Sequence, residues 1–186
     1  MKSMKSGVAV VTGGASGLGK AMAEEAARRG MKVVIADVAA GAIEQVVNDL
    51  RATGTEAIGV LTDVTNAESV EALAVATEQS FGPPNLLFNN AGVASGGPIW
   101  ESTEKDWKWL FGVNVDGVAN GVRSFTPRMI AAAAADPARA LYRRCGPGRR
   151  GPDLRDDHGP ADRRDSAPLY AGRGALLAGS ARPHAQ

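Results

Sequence analysis

The sequence predicts an α/β domain with a doubly wound parallel sheet, and three observations lead there. Over residues 1–135, short β-branched apolar runs alternate with longer stretches of helical periodicity. The intervals between successive apolar runs are too long for hairpins, so each strand returns through a crossover helix. Right-handed crossovers of that kind put helices on both faces of a parallel sheet. A glycine-rich turn, Thr12-Gly13-Gly14-Ala15-Ser16-Gly17-Leu18-Gly19, sits directly between the first strand and the first helix.

Gly7 to Thr12 is a continuous apolar run closed by glycines, the signature of a strand buried on both faces. Gly17 to Arg29 reads as a helix and Met31 to Ala36 as the second strand. Ala40 to Ala52 carries Ile43, Val46, Val47 and Leu50 on one helical stripe, and Glu56 to Leu61 is the third strand. Asn66 is an N-cap for a helix to Phe81 that turns Val70, Leu73, Ala74 and Thr77 inward, and Asn85 to Phe88 is the fourth strand. From Thr103 to Ala135, Leu110, Val113, Val118, Val122, Phe125 and Met129 form an apolar stripe, with a kink expected at Pro127.

The 186 residues suit one core. A hydrophobic share of 44% and a net charge of +1 exclude fibrous classes and give no basis for nucleic-acid or membrane partners. Cys145 is the only cysteine, so an internal disulfide and a cysteine-based zinc site are excluded, and no metal is expected. The apolar run Val8 to Val11 is too short for a signal-peptide core, and no stretch reaches the roughly 18 apolar residues of a membrane span. The expected location is cytoplasmic.

Composition changes near residue 135. No lysine follows Lys108, and Val, Ile, Phe, Trp and Met are absent from Asp136 onward. Residues 1–135 hold 11 basic and 14 acidic side chains, net −3, against 10 and 6, net +4, in 136–186. Residues 1–135, which carry the glycine-rich turn between strand and helix, are read as a dinucleotide-binding domain. Residues 136–186 are read as an Arg/Pro/Gly/Ala-rich tail without a stable fold. Its vocabulary is that of a GC-rich coding sequence read out of frame; a genuine basic tail is the alternative. Interleaved aspartates argue against a nucleic-acid arm.

Glycines between a strand and a helix allow a tight turn and let backbone N–H groups and the positive helix end approach a pyrophosphate. Asp37, eighteen residues beyond Gly19, closes the second strand, where a carboxylate accepts hydrogen bonds from an adenosine ribose and repels a 2′-phosphate. NAD is therefore expected over NADP.

Thr12-Gly13-x-x-x-Gly17-x-Gly19, Asp37, Asp63-Val64-Thr65 and Asn89-Asn90-Ala91-Gly92, in that order and spacing, resemble the short-chain dehydrogenase/reductase family over roughly residues 7–135. The resemblance implies a Rossmann-like fold and a cofactor site that includes Thr12, Gly13, Ser16, Gly17, Leu18 and Gly19. It further implies Asp63 and Val64 at the adenine and Asn90, Ala91 and Gly92 along the cofactor's middle. Asn114 is similar to the family's helix asparagine in the proton relay. The implied reaction is hydride transfer between nicotinamide and a small alcohol or carbonyl substrate, and the implied association is a homo-oligomer through helix 103–135.

The family's acid/base tyrosine, followed four residues later by lysine, has no counterpart in these residues. Tyr142 precedes Gly146 and Tyr170 precedes Gly174. Ser166, Ser180, His158 and His184 receive no role. A non-catalytic dinucleotide-binding chain is the alternative to an active oxidoreductase.

Overall fold

The computed structural model describes residues 5–135. Its four strands, β1 (Val8–Thr12), β2 (Lys32–Asp37), β3 (Ala57–Leu61) and β4 (Leu86–Phe88), form one parallel sheet in the order β3-β2-β1-β4. Val10 pairs with Val34 on one side and with Leu87 on the other. The chain moves outward from β1 through β2 to β3, then returns to the opposite side of β1 for β4. That reversal opens a crevice beyond the carboxyl ends of β1 and β4.

Alternation along the strands divides the interior into two cores. Ala9, Val11, Val33 and Ile35 meet helices α1 (Gly17–Arg28) and α2 (Ala40–Ala52), with Ala23, Ala26, Ile43, Val46, Val47 and Leu50 opposite them. Val8, Val10, Val34 and Ala36 face the other way, onto Val70, Leu73 and Ala74 of α3 (Ala67–Phe81) and Phe125 of α5 (Gly117–Ala135). Helices cover both faces, as the alternation predicts. The fully buried valines and Ile35 each contribute about 1.5–3 kcal/mol by leaving water.

The inward residues of α2 and α3 are the expected ones. Asn66 caps α3, its side chain accepting from Glu68 N at 2.8 Å and Ser69 N at 3.2 Å. Across the α3–α5 contact, Arg128 donates to both carboxylate oxygens of Glu71, at 2.6 and 3.3 Å, and to Glu78 at 3.1 Å. These bonds hold the Glu71 carboxyl below its ordinary range and raise Arg128.

The segment 103–135 differs from its sequence reading. A 3-10 turn at Ile99–Glu101 precedes α4 (Glu104–Phe111), which a reciprocal Thr103–Asp106 capping box starts. A π-helical turn at Gly112–Asp116 then leads without a break into α5, which continues through Pro127. Val118 and Val122 do not face the core; the buried positions of α5 are Gly117, Asn120, Gly121 and Phe125. Close approach is the reason. A Cβ on Gly117 would lie 2.8 Å from Val64 Cγ2, and one on Gly121 would overlap the Asn89 carboxamide. Asn120 donates to Val64 O at 2.9 Å, 56 residues away in sequence. The larger side chains Phe111, Val115, Val118 and Val122 are left exposed. Among the described residues no helix is long and apolar enough to cross a membrane. The expectations for 136–186, including Tyr142, Tyr170 and an unfolded tail, lie outside the described residues.

Candidate functional site

The carboxyl ends of β1 and β4 are fastened together by Thr12 and Asn90. Thr12 Oγ1 donates to Phe88 O at 3.2 Å and accepts from Asn90 N at 3.0 Å and Ala91 N at 3.1 Å. The Asn90 amide donates to Thr12 O at 3.0 Å and Gly13 O at 3.2 Å. The turn is therefore pressed against the 90–91 segment, and only glycine fits three of its positions; at Gly14 a Cβ would come 2.8 Å from Val11 O. At Gly13, φ is +62° and a Cβ would come 2.8 Å from Ala91 Cα. At Gly19 a Cβ would overlap the Gly13 carbonyl oxygen outright.

Gly17 behaves differently. Its φ is +50°, yet nothing lies within 4 Å of where a Cβ would project. It faces open space at the start of α1, where Ser16, the N-cap residue, makes no side-chain capping bond. The first N–H groups of a helix have no acceptor inside it, and they carry its positive end. Such an uncapped, open surface at the helix start can receive an anion from outside the chain.

A cleft of about 490 Å³ opens over this surface, inside the range of about 300–1,000 Å³ usual for small-molecule sites. One wall is the turn, Gly13 and Ser16 to Gly19; beside it stand Asp37 and Val38 at the end of β2, and Thr62 and Val64 beyond β3. Asn90 to Val93 form the opposite wall, and Trp109 and Val113 close the side facing α4. The Asp37 carboxylate accepts from Ala15 N at 3.1 Å, Val38 N at 2.8 Å and Ala39 N at 3.2 Å. An extended ligand with a central anion fits this arrangement: donors in the middle, an acceptor toward β2, and apolar walls at Val64 and Val113.

Three expected site residues do not line the cleft. Thr12 is buried and acts through Asn90 and Ala91. Asp63 turns its carboxylate to the N–H and hydroxyl of Thr65, at 2.9 and 2.8 Å. Asn114 lies in the π-helical turn and grips the backbone of Val93 from both sides, Oδ1 accepting at 2.9 Å and Nδ2 donating at 2.8 Å. Conversely, Val38, Thr62, Val93, Trp109 and Val113 line the cleft without having been expected there. Trp109 and Val113 stand four apart on one helical face, a pattern that core packing accounts for equally well.

A second groove, of about 530 Å³, lies between α1 and α2. Lys20 already spans it to Asp49 at 3.4 Å, and no helix N-terminus opens into it, so it offers no comparable donor set. Among the described residues no group of three His, Cys, Asp or Glu side chains is placed to hold a metal ion.

The model of the short chain dehydrogenase family matches residues 7–136. The chain is 45% identical over 132 residues to a C alpha-dehydrogenase of Sphingobium sp., covering 70% of this chain and 43% of that protein. A CLA biosynthesis dehydrogenase/reductase of Lactiplantibacillus plantarum is 37% identical over 130 residues, 70% of this chain and 46% of that one. Among solved structures, a short-chain dehydrogenase/reductase from Burkholderia phymatum in complex with NAD superposes with a TM-score of 0.69 at 55% identity, over 71% of this chain and 47% of its own. A short-chain dehydrogenase from Novosphingobium aromaticivorans gives a TM-score of 0.69 at 42% identity, over 73% and 50%. The chain spans about half the length of the curated relatives it matches.

Proposed function

The chain belongs to the short-chain dehydrogenase family, and from that premise we propose that it is the cofactor-holding part of an NAD-dependent oxidoreductase acting on a small alcohol or carbonyl compound. Oxidoreductase ancestry and a nicotinamide cofactor come with the family. The preference for NAD is our reading, and one observation supports it: a carboxylate, Asp37, lines the cleft at the end of β2, and among the described residues no basic side chain lines it. A 2′-phosphate there would meet like charge with nothing to balance it. The NAD-bound Burkholderia relative is consistent with this choice.

When bound, the nicotinamide supplies the hydride donor or acceptor. The chain's own residues bind and orient. The N–H groups at the start of α1 hold the pyrophosphate, and Gly17 leaves room for it. Asp37 accepts from the ribose, Val64 and Val113 enclose the adenine, and Asn90 to Gly92 line the middle of the cofactor. Asn114 holds Val93 and so fixes the wall next to the reacting ring. A role for it in proton relay rests on the family resemblance of its motif. The setting is cytoplasmic, and a second copy covers the exposed apolar residues of α4 and α5.

No tyrosine among the 186 residues is followed four positions on by lysine. The chain spans about half the length of its relatives, and a second reading is that these residues bind the dinucleotide without turning substrate over. A positioned acid/base contributes about 10²–10⁴ in rate, so the two readings separate widely. Calorimetric titration with NAD and NADP, followed by a turnover screen on secondary alcohols and ketones, tests both. NAD bound at least tenfold tighter than NADP supports the cofactor assignment; equal affinity sinks it. Turnover above trace levels removes the second reading.

A further inference from the structure

We infer that Asp37 is a positioning residue for the phosphate turn as well as an acceptor for ribose, and that the two tasks meet on one oxygen. The inference rests on the NAD reading for its ribose half only. An ionised carboxylate offers about four acceptor directions. Oδ1 of Asp37 is committed to its own chain, taking Val38 N at 2.8 Å and Ala39 N at 3.2 Å. Oδ2 takes Ala15 N at 3.1 Å. One acceptor direction remains, and it is on Oδ2.

Ala15 is not an incidental partner. It lies inside the turn, between Gly13 in the left-handed region and Ser16 at the start of α1. The neighbouring Gly14 N donates to Ala36 O at 3.1 Å. Two consecutive turn N–H groups are thus held by two consecutive residues at the end of β2. Gly14 is held by backbone, which no substitution removes; Ala15 is held by a side chain alone. Freeing Ala15 would let the peptide planes leading into α1 rotate, and with them the N–H groups that face the anion. A ribose hydroxyl arriving at Oδ2 shares its acceptor with the bond that shapes the turn, so recognition at the adenosine end is coupled to geometry at the pyrophosphate.

The test uses the full chain and two measurements. The first is binding of NAD and of an NAD analogue lacking both adenosine-ribose hydroxyls, to the parent and to Asp37→Ala. If Asp37 only accepts from ribose, the substitution costs nothing with the deoxygenated ligand. If it also shapes the turn, Asp37→Ala weakens that ligand at least threefold, and NAD by tenfold or more. Equal affinity of parent and variant for the deoxygenated analogue overturns the inference. The second is amide exchange at Ala15 without ligand, expected to quicken at least tenfold in Asp37→Ala while β1 and β2 stay protected. Unchanged exchange at Ala15 overturns the inference even if NAD binds. A parent that binds neither ligand refutes the NAD reading, and the exchange measurement then decides the turn-shaping role alone.

Discussion

Replacing Gly17 and Gly19 separately by alanine should produce two different defects. At Gly19 the new Cβ meets the Gly13 carbonyl oxygen and the Asn90 amide. Neither can give way cheaply: the carbonyl is backbone, and Asn90 Nδ2 is bonded to it at 3.2 Å. Overpacking of about 1–3 kcal/mol and one lost hydrogen bond of about 1 kcal/mol together cost on the order of 2–4 kcal/mol of fold stability. With a urea slope of about 1–3 kcal/mol/M, the unfolding midpoint should fall by on the order of 1–2 M. At Gly17 there is no clash, only the left-handed backbone. Its cost of about 1–2 kcal/mol is partly offset by about 0.4–1 kcal/mol from a stiffer unfolded chain, leaving roughly 0.5–1 kcal/mol. The methyl group would project where the pyrophosphate is proposed to sit, so NAD affinity should drop at least tenfold with little loss of stability. Urea unfolding and calorimetric titration of both variants give the answer. A Gly19→Ala protein that unfolds at the parent midpoint, or a Gly17→Ala protein that binds NAD like the parent, would refute the reasoning.

Asn66→Ala removes the acceptor of two N–H groups at the start of α3 and should lower stability by about 1 kcal/mol, read as a shifted urea midpoint at constant slope. Because bonding to Arg128 depresses the Glu71 carboxyl in the folded state, its contribution is full above the ordinary carboxylate range and is lost as pH falls through the depressed folded-state value. Glu71→Gln should therefore cost on the order of 1 kcal/mol or less at pH 7 and progressively less as the pH is lowered through the acid range; a cost that does not change with pH would contradict the assignment. Val122→Glu places a charge on the exposed apolar face of α5 and should shift a self-associating chain toward monomer in sedimentation. A parent that is already monomeric would argue against that face as an interface.

Residues up to Phe88 were legible because each element is set by local pattern: β-branched runs for the strands, a fourfold apolar stripe for α2, and an asparagine cap for α3. The cleft's floor was legible for a related reason, since a turn that needs glycine needs it whatever surrounds it. Residues 103–135 misled because helix α5 faces its neighbours with Gly117, Asn120 and Gly121, small or polar residues that carry no apolar signal. The close approach they permit depends on Val64 and Asn89, more than thirty residues away in sequence. Trp109 escaped notice because a large aromatic on a helix reads as core until the facing wall is known. Asp37 was legible as a ribose acceptor but not as a clasp on Ala15, a bond 22 residues apart that depends on how the turn lies over β2.

The π-helical turn at Gly112–Asp116 works as a vernier on the rod formed by α4 and α5. In an unbroken α-helix every step of four residues overshoots a full revolution by about 40°. The row Trp109, Val113, Gly117, Gly121, Phe125 would wind about 160° around the axis over about 24 Å. Its far ends would then point to opposite sides of the domain. The wider turn takes up an extra residue and winds the row back, so Trp109 and Val113 aim at the cleft while Gly117, Gly121 and Phe125 meet Val64, Asn89 and the core. Deleting one residue from 112–116 would not shorten a loop. It would let the turn close as ordinary α-helix with α4 and α5 near their present phase, so the change would fall on the turn itself, where Asn114 clasps Val93. For an engineer, the turn is where a single residue can be removed without re-aiming the helices on either side.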